Sequence, residues 1–287
     1  MQPYRIGVIG GSGLYGMAEL TVEEERQIAT PFGEPSDTYV LGALEGQRVA
    51  FLARHGKGHR ILPSELNFRA NIYGFKTLGV EWLLSVSAVG SMKIDYKPTD
   101  IVVPDQFYDR TRHRADTFFG DGLVGHVSMA RPVCPRLIEL FAAEAKGAGC
   151  RVHKGGTYVC MEGPQFSTRA ESEIYRQWGV DVIGMTNLQE AKLAREAEIC
   201  YATLAMVTDY DCWHETEEAV SGEAVMEVVR QNSATAQEVV RRIARKLPVE
   251  RDCGCGEALA MALITERELV PAKTLEKLRP IVGRYFR

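Results

Sequence analysis

Short apolar runs alternate along this chain with longer segments in which apolar residues recur at helical spacing. The runs are of strand length and occur at residues 5–9, 38–41, 48–52, 82–86, 101–103, 156–160, 182–186 and 200–207. Helical spacing marks residues 63–79, 135–147, 168–179, 188–198 and 223–247. This alternation predicts an α/β fold in which helices cover both faces of a central, largely parallel sheet.

The run at residues 200–207 contains almost no polar residue, so we expect a strand that is buried on both faces. It leads directly into Thr208, Asp209, Tyr210 and Asp211. Open α/β sheets bind their ligands just beyond the carboxyl ends of strands, which is where these acids lie. A single aspartate there would more simply begin a turn. A pair of aspartates flanked by aromatic residues favours a ligand site.

Other predicted strands also end in small, hydroxyl-bearing or charged residues. These are Ser12 in the glycine-rich turn at 10–16, Arg54 with His55, Ser87 with Ala88, and Met185 with Thr186. The glycine-rich turn has backbone amides suited to an anion, and the donors show no matching carboxylate, which is typical of a phosphate site. The two aspartates, together with Phe166 and Met185, supply acid, aromatic and soft apolar groups that suit a nucleobase and a sugar.

The glycine-rich turn also fits the dinucleotide-binding pattern at Gly11, Gly13 and Gly16. That interpretation requires a helix, a second strand and an acid roughly 20 residues further on. The chain instead has prolines at 31 and 35 and a glycine at 33, where that strand should end. We therefore rank a dinucleotide site, and with it a dehydrogenase, below a small-anion site.

Length and composition predict one main domain, residues 1–250, followed by a helical appendage at residues 251–287. The chain has 287 residues, 45% of them hydrophobic, and shows no break in composition. Its net charge of −4 comes from interspersed acids and bases, without the basic stripe that nucleic-acid binding requires. We found neither a signal peptide nor an apolar run of membrane-spanning length, so we expect a cytoplasmic protein without a membrane partner.

Seven cysteines are present, and most lie in apolar or helical patterns that predict buried thiols. Cys253 and Cys255 differ, because they form a Cys-Gly-Cys pair in the appendage. The sequence shows no matching second cluster, so we expect no metal site. A local disulfide is the alternative for this pair.

Six segments together resemble one known family. They are IGVIGGSGLYG, FLARHGKGH, SVSAVGS, EGPQFSTRAES, VIGMTN and AMVTDYDCW, in this order. They closely resemble the methylthioadenosine phosphorylases of the trimeric nucleoside phosphorylase family, over about residues 5–247. The resemblance implies a single three-layer α/β/α domain with a mixed sheet, assembled as a trimer or a pair of trimers. It also implies cleavage of methylthioadenosine by inorganic phosphate, to adenine and 5-methylthioribose 1-phosphate, with no metal or organic cofactor.

The resemblance assigns a role to each matching position. The implied phosphate ligands are Ser12, Arg54, His55, Ser87, Ala88 and Thr186. The implied nucleoside contacts are Met185 at the ribose, Phe166 stacked on adenine, Ser167 at a position linked to base specificity, and the edge from Thr208 through Tyr210 to Asp211. The implied sulfur-side positions are Gly222, Val225 and Met226, with His59 bordering the pocket and His126 reaching in from an adjacent subunit.

The chemistry of purine release gives the two acids separate roles. The leaving purine gains negative charge and needs a proton at N7, and we expect Asp209 to supply it because burial raises the pKa of a carboxyl group. Asp211 would orient or share that proton. A carboxyl pair also favours a 6-amino over a 6-oxo purine, since relatives preferring inosine carry Asn at the first acid.

Two departures from the family pattern bear on substrate range. Ser12 replaces a common Thr, and Gly222 replaces a branched apolar residue and so widens the sulfur-side pocket. We therefore expect adenosine to be accepted as well as methylthioadenosine. The alternatives are a broader purine nucleoside phosphorylase, including one for methylthioinosine, and a nucleoside-binding module without turnover.

Overall fold

The computed structural model describes residues 3–214, 222–247 and 249–286, without the side chains of residues 12, 15, 222–227 and 229–231. The strands are β1 (Ile6–Gly10), β2 (Thr21–Arg26), β3 (Tyr39–Leu44), β4 (Gln47–Ala53), β5 (Trp82–Ser91), β6 (Ile101–Val103), β7 (Gln106–Arg110), β8 (Val152–Lys154), β9 (Thr157–Met161), β10 (Val182–Gly184) and β11 (Cys200–Asp209). The α-helices are α1 (Phe68–Thr77), α2 (Pro135–Gly147), α3 (Arg169–Gln177), α4 (Asn187–Glu196), α5 (Gly222–Ala244), α6 (Ala272–Lys277) and α7 (Arg279–Val282).

The described strands form one mixed sheet that is organised around β5. On one side β5 pairs in parallel with β1, which leads to β4, β3 and β2. On the other side it pairs in parallel with β11, which leads to β6 and β8. Its carboxyl end also pairs with β10, followed by β9 and β7. The predicted α/β fold with a central, largely parallel sheet is confirmed.

Helices cover both faces of the sheet, as predicted. One apolar core lies between the sheet and helices α2 and α5, and contains Phe141, Val240 and Leu204. The other lies beneath α1 and α4 and contains Phe75 and Leu193. Strand β11 contributes to both cores and is fully buried except at its last residue, which confirms the strand expected from its apolar run.

The strands differ from the sequence prediction at two places. Strand β5 extends beyond the predicted residues 82–86 to Ser91, so the small residues at 87–90 lie within the strand. Residues Gln106–Arg110, where no strand was predicted, form strand β7 beside β9. Strands β2 and β8 were not predicted, because β2 is a polar, largely exposed edge strand and β8 has only three residues.

The C-terminal segment contains α6, α7 and short 3₁₀ turns. Leu259 and Ile281 are buried in the same apolar core as Phe75 of α1. The segment therefore packs directly on the sheet-covering helices, and a domain boundary at residue 250 stays a prediction. Among the described residues, we found no helix with both the length and the apolar character needed to span a membrane.

Candidate active site

Four neighbouring strands bring most of the predicted site residues to one edge of the sheet. The strands lie in the order β4, β1, β5, β11, and register pairs Gly10 with Ala53 and Asp209 with Gly90. The Arg54 amide donates to the Gly10 carbonyl at 2.8 Å, so Arg54 lies beside the last residue of β1. Three strand spacings separate Arg54 from Asp209 laterally, a distance of about 14 Å. Both residues therefore lie on the same rim.

The glycine-rich turn follows β1 at this rim. A Cβ atom at Gly10 would lie 2.4 Å from the Leu14 side chain and 3.1 Å from the Val86 carbonyl oxygen, so the close approach of β1 to β5 requires glycine. Ser12–Tyr15 form a 3₁₀ turn, and the chain then enters β2, which pairs antiparallel with β3. This is not the helix and parallel strand of a dinucleotide site. The predicted contact of Ser12 with phosphate depends on a side chain that lies outside the described ones.

Arg54 is buried and bound to a carboxylate. Its Nε donates to Oε1 of Glu190 at 2.5 Å, its Nη2 to Oε2 of Glu190 at 3.2 Å, and its Nη1 to the Val86 carbonyl at 2.8 Å. The expectation that Arg54 has no matching carboxylate was wrong, because α4 supplies Glu190 from a distant part of the chain. Nη2 also donates to Ser85 Oγ at 2.7 Å. Each Nη carries two hydrogens, so the bonds to described residues leave one Nη1 hydrogen for a ligand.

Glu190 belongs to a buried polar network beneath the rim that sequence reasoning missed. Its Oε2 accepts from Ser85 Oγ at 3.0 Å and from the Tyr201 hydroxyl at 2.9 Å. Asn187 Nδ2 donates to Ser85 Oγ at 2.9 Å and to Thr203 Oγ1 at 3.1 Å. Asn187 and Glu190 lie three residues apart on one face of α4, and this polar pair beside a buried strand was the available signal.

The network extends to the predicted phosphate ligands on β5. Ser87 is buried, and its Oγ lies 3.4 Å from Thr203 Oγ1. Ala88 is half-buried and pairs in register with Met206 of β11. Both residues therefore lie on the strand between the Arg54 end and the Asp209 end of the rim, and their contact with phosphate stays a prediction.

His55 is held as a neutral ring. Burial and the neighbouring Arg54 charge lower the pKa of His55 to about 4. Its Nδ1 lies 2.8 Å from the Ile61 carbonyl, which can only accept, so Nδ1 carries the proton and Nε2 presents a lone pair. The ring stacks on His59 at 4.3 Å, and burial also lowers the pKa of His59.

Thr186 lies at the rim, at the amino end of helix α4. It is the buried N-cap residue of α4, and its side chain makes no capping hydrogen bond. The first amides of a helix carry partial positive charge and favour anions. Thr186 and the amino end of α4 can therefore bind phosphate beside Arg54.

Arg114 positions the loop that carries Met185, and it was not identified from the sequence. Its loop is rich in charged residues, which is typical of a solvent-exposed surface, but the Arg114 side chain is 1% exposed. Nη1 donates to the Met185 carbonyl and to Gln189 Oε1, the latter at 3.0 Å, while Nε reaches Glu162 Oε1 at 3.2 Å. Arg114 thus ties the chain before Phe166 to the predicted ribose contact.

The two aspartates are linked through the backbone. Asp209 Oδ2 accepts from the Thr208 hydroxyl at 2.6 Å, and Oδ1 accepts from the Asp211 amide at 2.7 Å. Asp211 is buried and has a left-handed backbone with φ of 52°, which is uncommon for a residue other than glycine. Burial raises the pKa of Asp211, and hydrogen bonds from Ser172 partly offset the rise.

Phe166 and Ser167 lie on a turn that contacts the aspartate loop. The Cys212 thiol donates to the Ser167 carbonyl at 3.3 Å, and the Phe166 ring is 44% exposed. An exposed ring next to a carboxyl pair is available to stack on a base. Tyr210 differs: its hydroxyl donates to the Ile94 carbonyl at 3.2 Å and its ring packs in an apolar cluster, so its predicted nucleoside contact stays a prediction.

The predicted sulfur-side positions are less completely described. Gly222 begins α5, and Val225 and Met226 follow within its first two turns, but their side chains lie outside the described ones. His126 is exposed, with its amide donating to the Ala262 carbonyl at 2.8 Å. These assignments stay predictions.

Two further features lie at the opposite, amino end of the strands. A cavity of about 630 Å³ is lined by Lys76, Glu198 and the C-terminal segment, and Glu198 lies two residues before the start of β11. The thiols of Cys134, Cys200, Cys253 and Cys255 also converge there. The expectation that Cys253 and Cys255 lack a matching cluster was wrong, because the fold brings two distant cysteines to them.

Comparison with known proteins identifies the class. The sequence profile of the phosphorylase superfamily matches residues 5–245, and the chain belongs to that family. It is therefore an enzyme of the phosphate-dependent pentosyltransferase type.

Individual relatives narrow the comparison. The S-methyl-5′-thioadenosine phosphorylase of Koribacter versatilis is 59% identical over 281 residues, covering 98% of this chain and 96% of that protein. The crystal structure of a methylthioadenosine phosphorylase from an antarctic soil metagenomic library has a TM-score of 0.92 and 51% identity, covering 98% of this chain and 99% of that one. A Schistosoma mansoni methylthioadenosine phosphorylase in complex with adenine has a TM-score of 0.84 and 37% identity, with coverage of 89% and 96%.

Proposed function

We propose that this enzyme cleaves S-methyl-5′-thioadenosine with inorganic phosphate, giving adenine and 5-methylthioribose 1-phosphate. The observation that carries the proposal is the single rim on which Arg54, Thr186 and the Asp209–Asp211 pair lie side by side. The names of the most similar relatives support the same substrate. The reaction belongs to purine and methionine salvage and needs phosphate as co-substrate, with no metal or organic cofactor in the chemical step.

Phosphate binds at the Arg54 end of the rim. The Arg54 Nη1 hydrogen, the Thr186 hydroxyl and the first amides of α4 hold its oxygens, and Ser12, Ser87 and Ala88 complete the site. The neutral His55 ring has no free N–H, so it joins the site by accepting at Nε2 the hydrogen bond of the phosphate's own hydroxyl. The Glu190 pair fixes the guanidinium, so little reorganisation is needed on binding. The ribose carbon C1′ becomes cationic as the base departs, and a positioned phosphate dianion next to it stabilises that transition state.

The base binds at the Asp209 end of the rim. Asp209 faces N7 and the 6-amino group, giving a proton to the first and accepting from the second. Burial raises the pKa of Asp211, which favours retention of a proton within the carboxyl pair. Phe166 stacks on the purine, Met185 lies along the ribose, and Ser167 and Thr208 border the base.

The assembly is a trimer, or a pair of trimers, in the cytoplasm. The exposed position of His126 supports its placement against the sulfur-side pocket of a neighbouring subunit. His59, Gly222, Val225 and Met226 line that pocket from the subunit's own chain. Light scattering of the purified protein measures the oligomeric state.

Phosphate-dependent base release tests the reaction. We expect adenine from methylthioadenosine only when phosphate is present, with 5-methylthioribose 1-phosphate as the second product. The same panel should contain adenosine, inosine and methylthioinosine. Base release without phosphate, or a preference for inosine or methylthioinosine, would contradict the proposal.

Adenosine is a second proposed substrate. The relative from Schistosoma mansoni is described as an adenosine/methylthioadenosine phosphorylase, and Gly222 in place of a branched residue supports a wide pocket here as well. We expect comparable kcat/KM for the two nucleosides. A preference of several orders of magnitude for methylthioadenosine would exclude adenosine as a substrate.

A further inference from the structure

Four cysteines that are distant in sequence converge at the amino end of the sheet. Cys134 is the N-cap of α2, Cys200 is the first residue of β11, and Cys253 and Cys255 lie in the segment that follows α5. The four Sγ atoms all lie within 4.8 Å of one another. Three of these side chains are buried and Cys253 is half-buried.

The spacing of the sulfur atoms suits a tetrahedral metal ion. Zinc bound to four thiolates has Zn–S distances of about 2.3 Å, which place the sulfurs about 3.8 Å apart. The Cys200 and Cys253 sulfurs are 3.4 Å apart, and none of the other sulfur–sulfur distances exceeds 4.8 Å. The required distance of about 3.8 Å lies between these two values. We propose that Cys134, Cys200, Cys253 and Cys255 bind one structural zinc ion.

The backbone between Cys253 and Cys255 allows both to face the same ion. Gly254 has φ of 69°, in the left-handed region that glycine enters without strain. The chain bends at Cys253 and Gly254, between the two thiols. A residue with a Cβ atom would be less suited to this turn, which gives the glycine of the Cys-Gly-Cys pair a specific role.

The surroundings supply positive charge that a thiolate cluster needs. A zinc ion with four thiolates carries a net charge of −2, and Arg195 Nη1 lies 3.7 Å from the Cys255 sulfur. Cys134 lies at the amino end of α2, where the helix dipole favours negative charge. Both features favour the metal-bound, deprotonated form of the cluster.

The position of the four cysteines indicates that the zinc ion stabilises the fold and takes no part in catalysis. Four protein ligands leave no open coordination position, as in structural zinc sites. Cys200 and Asp209 are nine positions apart on β11, a distance of about 30 Å along the strand. The ion would fasten the C-terminal segment to the amino end of the sheet.

The same four thiols could instead form two disulfides, and the wild-type protein separates the two outcomes. The protein should be purified with a reducing agent and without added chelator, and its metal content measured. We expect one zinc per chain, and after exchange with cobalt an absorption spectrum of a tetrahedral cobalt–thiolate centre. A metal-free chain whose mass is lower by four hydrogens would overturn the proposal, and so would a metal-free chain with all thiols reduced that takes up neither ion.

Substitution locates the site. Cys253→Ser removes the least buried ligand, and Cys150→Ser removes a half-buried thiol outside the cluster. We expect Cys253→Ser to lose roughly tenfold or more in zinc affinity and to lower Tm, with kcat/KM for methylthioadenosine unchanged. Cys150→Ser should retain zinc and Tm. Full zinc content in Cys253→Ser would overturn the assignment, and if this variant fails to fold, the wild-type metal content and cobalt spectrum decide.

Discussion

The buried ion pair between Arg54 and Glu190 connects the stability of the fold to the affinity of the phosphate site. Glu190 is fully buried, the Arg54 side chain is 4% exposed, and the two groups share two hydrogen bonds. Glu190→Gln keeps the shape of the side chain and removes its charge. We expect this variant to be less stable than the wild type, because an arginine charge is left in the interior without its partner.

The size of the effect follows from the geometry. Opposite charges about 4 Å apart, at an effective dielectric constant of about 20, attract by about 4 kcal/mol. Measured losses for breaking a buried pair are about 3–5 kcal/mol. Glutamine still accepts one hydrogen bond from Arg54, so we expect the lower end, about 3 kcal/mol. For a chain of this size that loss lowers Tm by roughly 6–12 °C.

Phosphate provides the diagnostic part of the assay. A dianion bound at Arg54 supplies the missing negative charge, so added phosphate should raise Tm more in Glu190→Gln than in the wild type. Thermal unfolding, followed at one fixed protein concentration with and without phosphate, measures both quantities. Fixed concentration matters because assembly also stabilises the chain.

A surface pair gives the matched control. Glu139 and Lys154 form an ion pair in which both side chains are about half exposed, so Glu139→Gln should change the free energy of unfolding by less than about 1 kcal/mol. If Glu190→Gln has the same Tm as this control, the buried pair does not contribute as argued. If phosphate stabilises Glu190→Gln and the wild type equally, Arg54 is not the phosphate ligand.

Three other changes test the remaining parts of the site. Asp209→Asn should lower adenine release from methylthioadenosine by roughly 10²-fold or more and create activity on inosine, since an amide suits a 6-oxo purine; unchanged adenine release would disprove the assignment. The pKa of His55 is lowered to about 4, so the unfolded chain binds more protons below pH 6.5, and stability should fall by up to about 3 kcal/mol as the pH drops from 6.5 to 4. Denaturant unfolding at several pH values should show that the free energy of unfolding depends less on pH in His55→Gln than in the wild type. The same pH dependence in both proteins would contradict the buried neutral ring. Arg114→Gln should lower kcat/KM for methylthioadenosine by roughly 10²-fold through displacement of Met185, whereas exposed Arg112→Gln should leave it unchanged; equal effects would remove the positioning role of Arg114.

The sequence by itself determined the class of fold and the rim on which the site is built. The apolar run before Asp209 predicted a strand buried on both faces, and alternation with helices predicted the layers around it. Strand direction then placed Arg54 and Asp209 on one edge, because the carboxyl ends of parallel strands meet there. Thr186 reaches the same region differently, since it follows β10, which runs antiparallel to β5. Local composition is sufficient to predict such a strand, because a strand that is buried on both faces consists almost entirely of apolar residues.

Only the tertiary structure decided which groups are paired at that rim. Glu190 binds Arg54 across 136 residues of sequence, and nothing near Arg54 indicates a partner. Arg114 lies in a polar loop that is typical of solvent, yet its side chain is buried against three backbone carbonyls. The four-cysteine cluster likewise joins Cys134 to Cys255 through the fold alone. Contacts of this kind depend on how helices and loops dock on the sheet, and docking is set by long-range packing that local sequence patterns do not record.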